Sequence, residues 1–200
     1  AARTQREVTK AIEDFRFGEA ATTLYAFVWN TYCDWYLELI KPVLSGVDGA
    51  PKDETRATAG YVMERFLALL HPFMPFITEK LWGQVSGPSG LLVTSRWPQS
   101  AFEDEAAAAE VNALVEMIGA IRSVRSEMNV PAAAKTKLVV VGEGKGVAPL
   151  LDRYASEIEF LARVDGVDTA SSAPQGSAQI VVGGATLALP LAGIIEFTPE

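Results

Sequence analysis

Apolar residues recur at helical spacing through much of the chain, with polar residues between them. The predicted helices span residues 4–15, 17–41, 53–83 and 106–129. Pro42 is expected to end the second of them, because proline cannot donate the next helical hydrogen bond. Helices with short connections pack as antiparallel neighbours, so the pattern predicts an antiparallel helical bundle over residues 1–130.

After Pro131 the pattern changes from long helical segments to short apolar runs. Residues 137–141 are a run of side chains typical of a strand, and residues 147–162 form an amphipathic helix. Two further apolar segments flank Gly183–Gly184, the glycine pair of a tight hairpin turn. We therefore expect a mainly α protein with a small α+β appendage over residues 131–200, in which three strands pack on one helix.

Aromatic side chains crowd the second predicted helix. Its two adjacent stripes are Leu24, Phe27, Val28, Thr31, Trp35 and Leu39, and Tyr25, Trp29, Tyr32, Tyr36 and Ile40. Aromatic residues at helical spacing most often fill a core, so we expect Trp29 and Trp35 to be buried. The alternative is that some of these rings are exposed and stack on nucleic-acid bases.

The segment 71–82 places Pro72 and Pro75 three residues apart inside the third predicted helix. A proline in a helix interior removes a backbone donor, clashes with the preceding turn and costs about 3 kcal/mol. We expect a kink that packing on neighbouring side chains holds in place. His71 precedes the first proline and is expected to have a structural role.

The chain has a net charge of −8 and a single cysteine, Cys33. The acidic balance argues against a generic nucleic-acid binder, whose affinity depends on a basic surface, but a domain that binds one RNA loop needs only a local basic patch. A lone cysteine cannot form an internal disulfide, which fits the reducing cytoplasm. No apolar run reaches the length of about 18 residues that a membrane span needs.

Three sequence motifs resemble those of a known enzyme family. The first is HPFMPFITEKLW at residues 71–82, and the second is FVWNTYCDWYLE at residues 27–38. The third is IRSVRSEMNVP at residues 121–131. The proline motif is similar to that of the anticodon-binding helical domain of the class I aminoacyl-tRNA synthetases for valine, isoleucine, leucine and methionine. The other two motifs favour the valine-tRNA ligase family.

The resemblance implies a C-terminal fragment of a valine-tRNA ligase that recognises the tRNA anticodon and supplies tRNA binding and identity. ATP with magnesium, and valine, are implied for the intact enzyme, whose other domains would carry out ATP-dependent aminoacylation. The adenylate-forming motifs do not occur in this sequence. The fragment itself is therefore expected to be catalytically inactive, with no cofactor, catalytic residue or metal ligand. A C-terminal coiled-coil arm follows the appendage in the valine enzymes and is expected to be missing here.

Residues near the end of the fourth predicted helix are the candidate RNA-binding site. They are Arg122, Arg125, Ser126, Asn129, Lys135 and Lys137. The first four lie three or four residues apart and share one helix face. Arginine offers a planar donor group to phosphates and base edges, and asparagine pairs with base edges, which suits an unstacked RNA loop. A weaker second patch on the first helix consists of Arg3, Arg6 and Lys10.

Three alternatives stay open at the level of sequence. The basic residues of the fourth helix can form a solvated face, ion-paired with Glu116 and Glu127. The chain can belong to an isoleucine-tRNA ligase, because the pockets that select the amino acid lie outside it. It can also be a helical protein-interaction domain that binds no RNA, which the acidic balance suits. The preferred hypothesis is a monomeric cytoplasmic protein that binds valine-acceptor tRNA and no membrane.

Overall fold

The computed structural model of the chain describes residues 1–87, 90–99, 102–142 and 146–194. Its backbone contacts divide the chain into two compact units, residues 1–103 and 104–200. The first unit is helical, and the second combines helices with a four-stranded sheet. The expected class, mainly α with a small α+β part, is confirmed.

The first unit is built from α-helices whose apolar faces pack on one another. They are α1 (Ala2–Glu13), α2 (Phe17–Ala26), α3 (Leu37–Ser45), α4 (Ala50–Leu70) and α5 (Pro75–Val85). A π-helix (Phe27–Tyr36) joins α2 to α3, and a short 3-10 turn (Leu92–Thr94) follows α5. Two groups of buried side chains form the core: Val8, Ala11, Ala20, Leu24 and Leu69, and Tyr32, Phe66, Leu67 and Leu92.

The helix predicted to end before Pro42 continues past it. Pro42 lies inside α3, which ends at Ser45. A proline removes one backbone hydrogen bond and bends the helix, but close to a helix end few further hydrogen bonds depend on it. The predicted end of this helix was therefore too early.

The aromatic side chains of this long helix differ in burial. Tyr32 is buried, and its hydroxyl donates to the carbonyl of Ala59 at 3.0 Å. Tyr25 and Trp29 are exposed, and their rings stack with centroids 6.4 Å apart and 7° between the planes. Trp35 is partly buried. The expectation that Trp29 lies in the core was wrong. Tyr25, one turn earlier on the same stripe and within α2, is exposed too, so this face of the helix is turned to solvent.

The proline segment forms a break between two helices and not a kink within one. α4 ends at Leu70, and Pro75 is the first residue of α5, a position where helices tolerate proline because its N–H has no helical partner. Within the break, His71 Nδ1 lies 2.8 Å from the hydroxyl of buried Thr78, which donates to the carbonyl of Met74 at 2.8 Å. The histidine and the threonine fix this turn, which agrees with a structural role for His71.

Glu79 holds the segment after α5 in place. Its two carboxylate oxygens accept hydrogen bonds from the backbone N–H groups of Leu92 at 2.7 Å and Val93 at 3.1 Å. The 3-10 turn consequently lies against α5, and Leu92 is buried in one cluster with Phe66 and Leu67.

The second unit consists of a sheet with helices packed on it. Its elements are α6 (Glu105–Glu127), β1 (Thr136–Val141), α7 (Ala148–Arg153), α8 (Ala155–Ala162), β2 (Val164–Ala170), β3 (Ser177–Val182) and β4 (Ala185–Pro190). The strand order is β2-β1-β4-β3, with β1 and β2 parallel and the other pairs antiparallel. α6 contacts β3 and α8, and α8 contacts β2. The predicted hairpin is present, with positive φ at Gly183 and Gly184 as its tight turn requires.

Two features of this unit differ from the sequence expectation. Residues 147–162 form two helices that meet at Tyr154, and a fourth strand, β2, pairs in parallel with β1. β2 was missed because its sequence, VDGVDTA, contains two aspartates and a glycine, which are depleted in strands. The crossover through α7 and α8 is long enough to bring β2 alongside β1, where the ladder hydrogen bonds outweigh local propensity.

The boundary between the two compact units lies between residues 103 and 104. The sequence instead predicted a boundary near residue 130, between a bundle (1–130) and an appendage (131–200). α6 contacts the sheet and therefore groups with the strands. The boundary near residue 130, as the limit of an independent domain, stays a prediction. Residues 195–200 of the appendage lie outside the described residues.

We predict that neighbouring Leu91 and Leu92 differ sharply in their contribution to stability. Leu92 is 3% exposed, so Leu92→Ala leaves a cavity and lowers the free energy of unfolding by about 2–5 kcal/mol. Leu91 is 60% exposed, so Leu91→Ala is the matched control and should stay within about 0.5 kcal/mol of the parent. Urea unfolding measures both values, and equal losses would contradict the position of the 3-10 turn.

Candidate nucleic-acid interface

Asn129 determines where α6 ends. The helix stops at Glu127, and Asn129 follows in the left-handed conformation with a φ of 52°. Its N–H donates to the carbonyl of Ser126 at 3.0 Å, and the N–H of Val130 donates to the carbonyl of Arg125 at 2.8 Å. Asparagine tolerates this backbone conformation better than most residues, which explains the helix end. The candidate residues of the second unit therefore lie on the last turns of α6 and on the segment that follows.

Arg125 is buried and bound to main-chain carbonyls. Its guanidinium donates to the carbonyl of Ala134 at 2.6 Å, and more weakly to those of Pro131 at 3.4 Å and Arg163 at 3.5 Å. Burial lowers the pKa of this guanidinium, and the positive charge of Arg163 lowers the pKa further. The group stays charged, because the arginine guanidinium is not deprotonated in proteins. The geometry of Arg125 favours a structural role over direct RNA contact.

Arg122 and Lys137 also make contacts within the protein, although both are exposed. Arg122 Nε donates to the carbonyl of Leu161 at 2.9 Å, and this hydrogen bond joins α6 to α8. Lys137 Nζ forms an ion pair with the carboxylate of Asp168 at 2.8 Å, which raises the pKa of the lysine. Exposed ion pairs of this kind contribute little to stability, so a phosphate can replace the carboxylate at small cost.

Three candidates present uncommitted side chains to solvent. Ser126, Asn129 and Lys135 are exposed, and within the described ranges their side chains form no hydrogen bond or ion pair. Lys135 directly follows Ala134, whose carbonyl binds Arg125. These residues therefore lie close in sequence to Arg125 or to the carbonyls that it binds, and their side chains are exposed to solvent.

Arg163 is a further cation that the sequence did not indicate. It is exposed, it follows α8 with a φ of 55°, and its carbonyl accepts the hydrogen bond from Arg125. Its side chain has no ion-pair partner in the part of the chain that the structure describes. No local pattern connects it with residues nearly forty positions earlier. We call Arg122, Ser126, Asn129, Lys135 and Arg163 the α6-end cluster.

The weaker patch of the first unit is ion-paired. Arg3 pairs with Glu7 at 3.2 Å, and Lys10 pairs with Asp14 at 3.1 Å. Arg6 binds Glu103 through two hydrogen bonds, of 2.6 and 2.9 Å, which lowers the pKa of that carboxyl. The cations of this patch are thus ion-paired, whereas Lys135 and Arg163 of the α6-end cluster have no ion-pair partner among the described residues.

The exposed Tyr25–Trp29 pair adds an aromatic surface to the first unit. Proteins that recognise unpaired RNA commonly stack bases on aromatic rings. The first unit therefore offers exposed aromatic rings to a ligand, and the second unit offers exposed cations.

Two other kinds of site are not found in the described ranges. No three histidine, cysteine, aspartate or glutamate side chains come together there as metal ligands would. Among the same residues, no helix is long and apolar enough to cross a membrane.

Comparison with known proteins gives a consistent result. A family model described as the anticodon-binding domain of tRNA ligase matches residues 1–140. The valine–tRNA ligase of Rhizobium meliloti is 53% identical over 99% of this chain and 21% of its own length. The valine–tRNA ligase of Agrobacterium fabrum is 50% identical over 100% of the chain and 21% of its length, and that of Caulobacter vibrioides is 49% identical over 99% and 22%. The chain spans about a fifth of the length of these relatives.

We predict that Arg125→Ala destabilises the second unit. The change leaves the partly buried carbonyl of Ala134 without its charged donor, which should lower the free energy of unfolding by about 1.5–3 kcal/mol. Ser126→Ala is the matched control, because the neighbouring side chain is exposed and should change stability by less than about 0.5 kcal/mol. Urea unfolding followed by circular dichroism measures both. An Arg125→Ala variant of unchanged stability would show that the guanidinium is not structural.

Proposed function

Because the chain belongs to the anticodon-binding domain family of tRNA ligases, we propose that it recognises the anticodon of a valine-acceptor tRNA as part of a valine–tRNA ligase. The observation that carries this proposal is the family match over residues 1–140, which includes the π-helix, the proline segment and α6. The relatives named above are valine–tRNA ligases, which favours valine over the isoleucine alternative.

In this proposal the α6-end cluster contacts the RNA backbone and the unpaired bases. Lys135 and Arg163 can neutralise phosphates without first giving up an ion pair to a described residue. The C-terminal end of α6 adds a partial negative charge that stabilises cations beside it. Ser126 and Asn129 offer both donors and acceptors to base edges.

The remaining predicted residues have supporting roles. Arg125 binds the segment 131–134 and so sets the position of Lys135. Lys137 can release Asp168 and bind a phosphate instead, because their ion pair is exposed. The same holds for the exposed ion pairs of Arg3, Arg6 and Lys10. The Tyr25–Trp29 pair offers a face on which an unpaired base can stack.

The overall charge of −8 is compatible with this role. Acidic surroundings repel RNA from most of the surface, so that binding concentrates where local cations overcome the repulsion. Such a protein discriminates between RNAs better than a uniformly basic one, at the expense of affinity.

The reaction itself is assigned to other parts of the ligase. We place the sites for ATP, its magnesium ion and valine outside this chain, and we expect the isolated chain to show no valine-dependent pyrophosphate exchange. The ligase would act as a monomer in the cytoplasm, where it supplies aminoacylated tRNA for translation.

We predict that the isolated chain binds tRNA with a valine anticodon more tightly than the same tRNA with a changed anticodon. Loss of one base contact costs about 1–3 kcal/mol, which corresponds to about a 5- to 150-fold increase in Kd. Fluorescence titration at several salt concentrations measures both affinities, and binding should weaken with added salt. Equal affinity for both RNAs would contradict the proposal that the chain recognises the anticodon. Failure to bind either RNA would favour the alternative of a protein-interaction domain.

We further predict that Arg163→Gln weakens tRNA binding and Arg153→Gln does not. Both arginines are exposed and lie in the second unit, but Arg153 pairs with Glu110 at 3.0 Å. Loss of a phosphate contact at Arg163 should lower the slope of log K against log salt by about 1. The two variants lose the same charge, so equal effects would indicate a general electrostatic change and no contact at Arg163.

A further inference from the structure

RNA binding does not account for an exposed apolar surface on the first unit. We call it the α5 patch; it consists of Met74, Phe76, Ile77, Leu91 and Val93. Phe76 is 91% exposed and Val93 is 65% exposed, and both line an open cleft of about 470 Å³. His71, Glu79 and Lys80 also line this cleft. Exposed apolar surface is unfavourable in water, and apolar patches with polar rims mark interaction sites.

The α5 patch is held in shape by bonds within the first unit. Glu79 binds the N–H groups of Leu92 and Val93 and so fixes Val93 near Phe76. On the other side, the contact of Thr78 with His71 fixes the turn that carries Met74. The surface is therefore preformed, and an incoming partner pays little ordering entropy to use it.

The charges around the α5 patch select among the possible partners. Glu79 and Lys80 carry opposite charges at the cleft, so the site lacks the concentrated positive charge that RNA requires. Two copies of the chain would each bring a net charge of −8, which opposes self-association. An apolar surface of a larger polypeptide therefore fits the patch better than RNA or a second copy of the chain does.

We propose that the α5 patch docks against the remainder of the ligase polypeptide, outside this chain. This inference rests on the proposed function, because the relatives are about five times as long as the chain and contain the polypeptide that would cover the patch. The covering segment presents apolar side chains to Phe76 and Val93, with polar groups opposite Glu79 and Lys80. Contacts of this kind, apolar with a polar rim, are typical of interfaces between domains of one chain.

Thiol labelling tests the proposal. Val93→Cys and Phe76→Cys are made separately in the isolated chain and in the intact ligase that contains it, and the labelling rate of each peptide is measured by mass spectrometry. The exposed side chains should tolerate the changes and react rapidly in the isolated chain, and we expect at least tenfold slower labelling in the intact ligase. Val47→Cys in the isolated chain, where Val47 is 94% exposed, gives the rate of an uncovered thiol.

Equal labelling of both thiols in the isolated chain and the intact ligase would overturn the proposal. If the labelling rate in the isolated chain falls as its concentration rises, the patch is a self-association surface. If the labelling rate in the ligase falls only after tRNA is added, the patch binds RNA. Either result also overturns it. The tRNA titration is independent of this measurement, so failure of the docking proposal and failure of the proposed function give different results.

Discussion

The buried guanidinium of Arg125 is the interaction on which the candidate interface depends. One charged side chain binds carbonyls from two separate segments, residues 131–134 and Arg163. A buried charge is tolerated only when hydrogen bonds replace the water it has lost, and these carbonyls provide them. Because Lys135 and Arg163 lie on those same two segments, the positions of both surface cations follow from a residue that does not itself reach the surface.

The fold was predictable where one face of a regular element decides burial. The periodicity of α6 and the glycine pair of the β3–β4 hairpin are local signals, and both elements are present. β2 is not locally encoded in the same way, because Val164–Ala170 becomes a strand through its pairing with β1. The proline segment is intermediate: its motif was recognisable, but a break between α4 and α5 was found where a kink was expected, and the contact between His71 and Thr78 forms only in the folded turn.

For the candidate site, the sequence predicted only which residues lie on neighbouring turns of one helix. Spacing placed Arg122 and Ser126 one turn apart on α6, but it could not distinguish a buried arginine from an exposed one at Arg125. That distinction depends on the carbonyls of later segments, whose approach no pattern within α6 reveals. Arg163 was missed for the same reason, since it reaches α6 through the tertiary fold.

The π-helix has a consequence for how the sequence can vary. Each π turn closes its hydrogen bond over one more residue than an α turn does. A relative that lacked one residue in such a turn would regain an ordinary α turn there, while α2 and α3 kept nearly the same faces toward the core. We therefore expect a single-residue deletion to be tolerated better within residues 27–36 than within a regular α-helix that packs on the core. The same deletion inside α4 would rotate every later side chain of that helix by about 100°.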